Sequence, residues 1–112
     1  MTNEEFLSRC SEVVEANLTN ADFKVGDLAY SLAMSHSSLY KRLRDVTGMS
    51  VQEYVNDYKI GKAIERLAAG DRPVKVVAER CGISDPKHFR TLFRRKTGLS
   101  PTEYVEKMNT AG

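Results

Sequence analysis

The sequence predicts an all-α fold, in which two helix-turn-helix units are joined by a long linker helix, with about seven helices in all. Apolar residues recur at helical spacing along nearly the whole chain. A basic stretch at 35–48 is echoed at 84–98, and Tyr54 and Tyr104, which follow the two stretches, lie 50 positions apart. A repeat of this length indicates one structural unit used twice.

Size and composition limit the class of protein. The chain has 112 residues, 41% of them apolar, which suits one compact domain or two very small ones. No run approaches the roughly 20 apolar residues that a spanning helix needs, and the N-terminus has no signal core, so we expect a cytoplasmic location. Cys10 and Cys81 have no ligand-like neighbours, so we expect buried, reduced thiols and neither metal nor cofactor.

The distribution of charge says more than its sum. The net charge is +2, but residues 1–31 carry −4 and residues 32–112 carry +6. Five basic residues and no acid lie between Lys87 and Lys96. A solvated helix face is one explanation, but two basic runs at equivalent places in a repeat favour a polyanionic partner.

The first helices are predicted from spacing and capping. Residues 3–18 place apolar side chains on one helical face and are expected to support the core. Val25 to Leu32 reads as a short helix, followed by a tight turn at 33–35. Ser35 or Ser37 can then cap the next helix, which is expected at 36–47 and to end at Gly48.

Rotating this helix on a helical wheel separates two faces. Leu39, Leu43 and Val46 face the core. The opposite side and its flanks carry Ser37, Ser38, Tyr40, Lys41 and Arg44.

A capping box from Ser50 to Glu53 begins the longest helix, at about residues 50–69. Its candidate buried positions are Val51, Tyr54, Val55, Tyr58, Ile64, Leu67 and Ala68. Gly61 costs about 1 kcal/mol against alanine and marks either a close contact or a bend. Such a helix spans about 30 Å, close to the roughly 34 Å turn of B-form DNA. We therefore divide the chain into an N-terminal helix-turn-helix subdomain (1–49), a linker helix (50–70) and a C-terminal helix-turn-helix subdomain (71–112).

The unit then recurs. Pro73 is expected at the first position of a short helix, and Asp85 and Pro86 are expected to start a second reading helix at 86–97. Phe89 and Phe93 face its core. Its outward side and flanks carry Lys87, His88, Arg90, Thr91, Arg94 and Arg95. Lys96 shares the side of the two phenylalanines and is expected to bend its charge out to solvent. Another capping box, from Ser100 to Glu103, begins the last helix.

The segments Leu39–Leu43, Gly82–Phe89 and Thr97–Pro101 resemble the AraC-type (AraC/XylS family) DNA-binding domain. The sequence pattern is most similar to the C-terminal output domain of hybrid two-component regulators, so we expect an effector module excised from a longer protein. A small regulator complete in itself is the alternative. The resemblance implies binding to double-stranded promoter DNA and contact with RNA polymerase. It also implies homodimerisation through regions outside this chain, and no small-molecule ligand in this domain. Lys59 and Gly61 depart from the residues usual in the family's linker.

The resemblance and the helical faces together nominate site residues. Candidates for reading base edges are Ser37, Ser38, Tyr40, Lys41, Lys87, His88, Arg90 and Thr91. Candidates for phosphate contacts are Arg44, Arg94, Arg95 and Lys96. Backbone amides at the starts of the helices, near Ser37, Ser50, Pro86 and Ser100, are further candidates for phosphates. Alternatives stay open, because Ser37 and Asp85 can be simple caps, and Tyr40 can cover a core edge.

The predicted function is sequence-specific binding of double-stranded DNA and regulation of transcription, with activation favoured. Two recognition helices would enter successive major-groove segments. The alternative is a helical protein-interaction module that binds an acidic partner. An enzyme is not expected, because the sequence has no nucleophile–base arrangement, phosphate loop or metal spacing.

Overall fold

The structure, a computed structural model, describes the backbone of residues 1–111 and the side chains of residues 1–109. This part of the chain contains seven helices and no strand, which confirms the predicted all-α fold with two helix-turn-helix units. The helices are α1 (Asn3–Ala16), α2 (Val25–Ser31), α3 (His36–Thr47), α4 (Val51–Ala68), α5 (Val74–Arg80), α6 (Pro86–Thr97) and α7 (Pro101–Ala111). None of the described helices is both long enough and apolar enough to cross a bilayer.

The chain forms two compact units, Met1–Tyr58 and Lys59–Gly112, and the division falls inside α4. Each unit has its own hydrophobic core. The three-part division into 1–49, 50–70 and 71–112 stays a prediction.

The first unit packs α1, α2 and α3 with the first half of α4. Its fully enclosed side chains include Phe6, Cys10, Leu28, Leu39 and Leu43. Burying one such large apolar side chain stabilises the fold by about 1.5–3 kcal/mol. Both cysteines are buried, as predicted, and burial raises the pKa of the Cys10 thiol to about 11. Val46, predicted in the core, is only partly buried.

The second unit encloses one side of α6. Phe89 and Phe93 are 3% and 0% exposed, with ring centroids 5.6 Å apart, and Phe93 meets Tyr104 of α7 edge-on at 5.4 Å. Val77 and Ala78 of α5 complete this core together with Ile60 of α4. Aromatic pairs at such distances add about 0.5–1.5 kcal/mol beyond their burial.

The buried face of α4 corrects one prediction. Ala68 is exposed, whereas Ile60 and Ala63, which the sequence did not nominate, are buried. The buried positions change face between Val55 and Ile60, because the first half of α4 packs into one core and the second half into the other. A single apolar stripe therefore does not describe the helix. At Gly61 an added Cβ would meet no atom within 4 Å, so the close-contact interpretation is wrong.

Two capping assignments are also settled. Ser35 caps α3, because its Oγ accepts from the Ser38 N–H at 3.1 Å, so Ser37 is not the cap. Pro73 is the N-cap of α5 rather than its first helical residue, since its backbone is extended with ψ 162°. Asp85 and Pro86 start α6 as predicted.

Candidate nucleic-acid interface

Local signals at both ends fix the length of α6. The Asp85 carboxylate accepts from the Lys87 N–H at 3.1 Å, and Pro86 takes the first helical position, where no N–H is needed. Gly98 ends the helix with φ 80°, and its N–H donates to the Arg94 carbonyl at 2.8 Å. With Phe89 and Phe93 buried, the remaining faces of α6 are left to polar residues.

The first reading helix, α3, is built in the same way. Gly48 ends it with φ 75°, and its N–H donates to the Arg44 carbonyl at 2.8 Å. Leu39 and Leu43 are fully buried, so α3 is anchored by one side. The two helices thus repeat one design: a capped start, a buried apolar face and a left-handed glycine at the end.

All the nominated base-reading and phosphate residues lie on α3 or α6 and are exposed. On α3 these are Ser37, Ser38, Tyr40, Lys41 and Arg44. On α6 these are Lys87, His88, Arg90, Thr91, Arg94, Arg95 and Lys96. Exposure makes them available for contact; their roles stay predictions.

Some of the nominated side chains already have partners. The Ser35 hydroxyl donates to Ser38 Oγ at 2.9 Å, and Thr91 Oγ1 donates to the Lys87 carbonyl at 3.0 Å. The Thr91 methyl group remains for apolar contact, of the kind that a thymine methyl offers. Tyr40 is 44% exposed, so it is not simply a cover for the core.

Arg94 is held by an acid on the next helix. Its Nη2 lies 3.7 Å from Glu103 Oε1, and the same oxygen accepts from the Ser100 N–H at 3.1 Å. The Ser100 N–H and hydroxyl, together with the Arg94 guanidinium, keep the pKa of the Glu103 carboxyl below its usual range. The backbone amide of Ser100, predicted as a phosphate donor, is therefore engaged in this structure.

Arg42 shows why helical position alone does not decide a role. This side chain of α3 lies 4.8 Å over the Phe6 ring and donates to the Met1 carbonyl. It is partly buried, so it braces α3 against the N-terminal part of the chain. The position of Arg42 beside the buried face was the only sequence signal that could have shown this.

Two lysines that sequence reasoning did not assign lie beside α6. Lys75, exposed on α5, and Arg90 line one groove of about 330 Å³, together with Ser84, Phe89, Ser100 and Thr102. Lys59 of α4 donates to the Gly82 carbonyl at 3.4 Å, and burial lowers its pKa. Lys59 therefore braces the turn that precedes α6, whereas Lys75 adds a cation beside Arg90.

The described residues contain no group of three or more His, Cys, Asp or Glu side chains able to hold a metal ion. The site residues predicted on α3 and α6 present chiefly hydrogen-bond donors and positive charge. Such faces can bind phosphate oxygens and the acceptor edges of bases.

Comparisons with known proteins agree with this arrangement. A family model described as a helix-turn-helix domain matches residues 28–107. The HTH-type transcriptional activator RhaS of Escherichia fergusonii is 40% identical over 76 residues, which are 68% of this chain and 27% of that protein. The chain therefore spans little more than a quarter of the length of the curated relatives it matches.

Solved structures share the fold. The DNA-binding domain of AdpA, a global transcriptional factor crystallised with a target DNA, is 28% identical with a TM-score of 0.82, over 94% of both chains. A transcriptional regulator from Chromobacterium violaceum, described as containing an AraC-type DNA-binding domain, has a TM-score of 0.84. It covers 97% of this chain and 96% of its own, and at 20% identity it supports the fold alone.

Proposed function

The chain belongs to the AraC-type helix-turn-helix family of DNA-binding transcription regulators, and we propose that it recognises a specific promoter sequence and activates transcription. One observation carries the proposal: α3 and α6 are each anchored by a buried apolar face and each expose basic and hydroxyl side chains. A helix held in this way can enter a major groove without losing its own packing.

Within each helix, position divides the roles. Residues near the start of a reading helix usually meet base edges, so we assign base reading to Ser37, Ser38, Tyr40 and Lys41 on α3. On α6 the same role goes to Lys87, His88, Arg90 and Thr91. Lysine and arginine can donate to the O6 and N7 acceptors of guanine, and hydroxyls can bond several bases.

Residues later in the helices are assigned to phosphates. These are Arg44 on α3 and Arg94, Arg95 and Lys96 on α6. Each phosphate that a cation neutralises releases counterions, so this group supplies affinity that depends on salt and little on sequence. Lys75, beside Arg90, is a further phosphate candidate that only the structure indicates.

The two reading helices are proposed to enter successive major-groove segments, with subdomains 1–49 and 71–112 on either side of the linker 50–70. Support comes from α4, which runs without a break from Val51 to Ala68. At about 1.5 Å per residue it is roughly 27 Å long. That length is comparable to the distance of about 34 Å between major-groove segments one turn apart.

Further parts of the function follow from the family. We propose contact with RNA polymerase during activation, since RhaS is named a transcriptional activator. On the resemblance of the motifs we also propose homodimerisation through parts of the protein outside this chain. The same resemblance supports membership of a hybrid two-component regulator and action in the bacterial cytoplasm.

Selection of bound fragments from randomised double-stranded DNA tests the proposal. We expect an enriched sequence with two blocks about 10 base pairs apart, one for each reading helix. Affinity for this site is then compared with affinity for a scrambled duplex of the same composition. Equal affinity for the two duplexes would leave only a general polyanion binder, as would be expected of an interaction module for acidic proteins.

A further inference from the structure

The two reading helices share a capped start, a buried apolar face and a terminal glycine, but they differ in charge at one exposed position. The repeat places Asp45 of α3 where α6 has Arg95, since both stand three residues before the terminal glycine. Both side chains are exposed. At this position α3 therefore carries an acidic side chain and α6 a basic one.

Asp45 lies on the face of α3 that would meet DNA. It follows Lys41 by four residues, so the two side chains share one side of the helix. Asp45 forms no salt bridge with any of the residues that the structure describes. Its carboxylate is thus a negative charge presented beside the cations assigned to DNA.

The two faces also differ in the number of basic side chains that they present. Among its Lys and Arg residues, α3 offers Lys41 and Arg44, because Arg42 is folded back over Phe6. Asp45 offsets one of these two charges. The face of α6 has five basic residues and no acid between Lys87 and Lys96.

We propose that Asp45 makes engagement of the first unit conditional on its base sequence. This inference rests on the proposed DNA-binding function and assigns Asp45 as a specificity-determining residue. Late residues of a reading helix meet phosphates, and a carboxylate there repels them. The first unit then docks only where base contacts by residues such as Lys41 outweigh the repulsion, whereas the second unit docks by charge.

The dependence of affinity on salt reports how many phosphates are neutralised, with a slope of about −0.9 per contact on duplex DNA. Two duplexes are compared, the selected full site and the same site with only the α3 half-site scrambled. The wild-type slope should be shallower on the half-scrambled duplex, by about 0.9 for each phosphate that the first unit contacts. On that duplex, protection from cleavage should be confined to the α6 half-site.

Two variants test the role of the charge. Asp45→Asn removes the repulsion and Asp45→Arg copies α6, so both should raise affinity for the half-scrambled duplex several-fold. Asp45→Arg should also make the slopes on the two duplexes equal and extend the protected region over the α3 half-site. Glu12→Gln and Glu12→Arg, at an exposed acid of α1, make the same charge changes elsewhere and should leave the slope difference unchanged.

Equal wild-type slopes on the two duplexes would overturn the inference while leaving sequence-specific binding intact. So would a loss of affinity for the full site in Asp45→Asn with relaxed preference at one base, because Asp45 would then be accepting a hydrogen bond from a cytosine amine. Failure of the selection to enrich any sequence would instead overturn the proposed function, and this inference with it.

Discussion

Ala33 and Gly82 occupy the same place in the two helix-turn-helix turns, and both have positive φ, 56° for the alanine and 85° for the glycine. The Ala33 N–H donates to the Tyr30 carbonyl and the Gly82 N–H to the Glu79 carbonyl, each at 3.0 Å. The turn therefore requires a left-handed residue in both units. Only the second unit meets this requirement with glycine, which adopts the conformation without a steric penalty.

The strain at Ala33 predicts a stabilising substitution. A left-handed conformation costs a non-glycine residue about 1–2 kcal/mol, and the extra chain entropy of glycine offsets about 0.5–1 kcal/mol of this. Ala33→Gly should therefore raise the free energy of unfolding by up to about 1 kcal/mol, measured by chemical denaturation. Gly82→Ala is the reciprocal variant and should lower it by a similar amount. Destabilisation by Ala33→Gly would contradict this account of the turn.

Gly61 offers a second stabilising change. It lies inside α4, and an added Cβ would meet no atom within 4 Å, so alanine fits without displacement. Gly61→Ala should stabilise the protein by up to about 1 kcal/mol, the difference in helix propensity. Gly48→Ala is the control and should destabilise, because φ at Gly48 is 75°. If Gly61→Ala stabilises the fold but weakens binding to the selected site, the glycine serves a bend needed on DNA.

Lys87 and Lys41 are the sharpest tests of base reading. Each lies on the outward side of its reading helix and is exposed. Lys87→Ala and Lys41→Ala should each weaken binding to the selected site by about 1–3 kcal/mol and relax the preference at one base position. Lys24→Ala, which removes an exposed lysine before α2, should leave the preference intact. An equal loss on selected and random duplexes would move these lysines from the base-reading to the phosphate group.

Substitutions at Arg94 and at Glu103 should have opposite effects on the affinity for duplex DNA of any sequence. Arg94→Ala should lower affinity on every duplex and flatten the salt dependence by about 0.9, the effect of losing one phosphate contact. Glu103→Gln should raise affinity on every duplex, because Arg94 is released and a negative charge is lost. Arg9→Ala, at an exposed arginine of α1, controls for net charge. Weaker binding by Glu103→Gln would show that the acid positions Arg94 for DNA instead.

The lowered pKa of Glu103 also predicts that the stability of the fold depends on pH. The Ser100 N–H and hydroxyl, with a smaller effect of Arg94, lower the pKa of Glu103 from its ordinary value of 4.5. The unfolded chain then binds more protons, so the stabilisation is complete above pH 4.5 and is lost as the pH falls through the lower, folded pKa. Ser100→Ala should raise this pKa toward 4.5 in a carboxyl NMR titration, and Arg94→Ala should raise it less. Alanine keeps the backbone N–H at this position, so an unchanged pKa in Ser100→Ala would exclude the hydroxyl as a cause and leave the N–H hydrogen bond.

The two reading helices were predictable residue by residue because their signals are local. The cap before each helix, the spacing of the apolar residues and the terminal glycine all act within a few turns of backbone. The sequence therefore predicted His36–Thr47 and Pro86–Thr97 with their bounds. Phe89 and Leu39 were placed in the core for the same reason. The exposure of the outward face then follows, because the side of each helix opposite its buried side chains is left to solvent.

By itself, then, the sequence determined the fold class, the order of the helices and which side of each reading helix is exposed. Only the tertiary structure decided that α4 changes its buried face at Ile60, that Arg42 folds back over Phe6, and that Glu103 holds Arg94. The physical reason is the distance along the chain over which each signal acts. Caps and periodicity depend on neighbours along the chain, whereas the partners of a long charged side chain depend on which residues folding brings within a few ångströms of it.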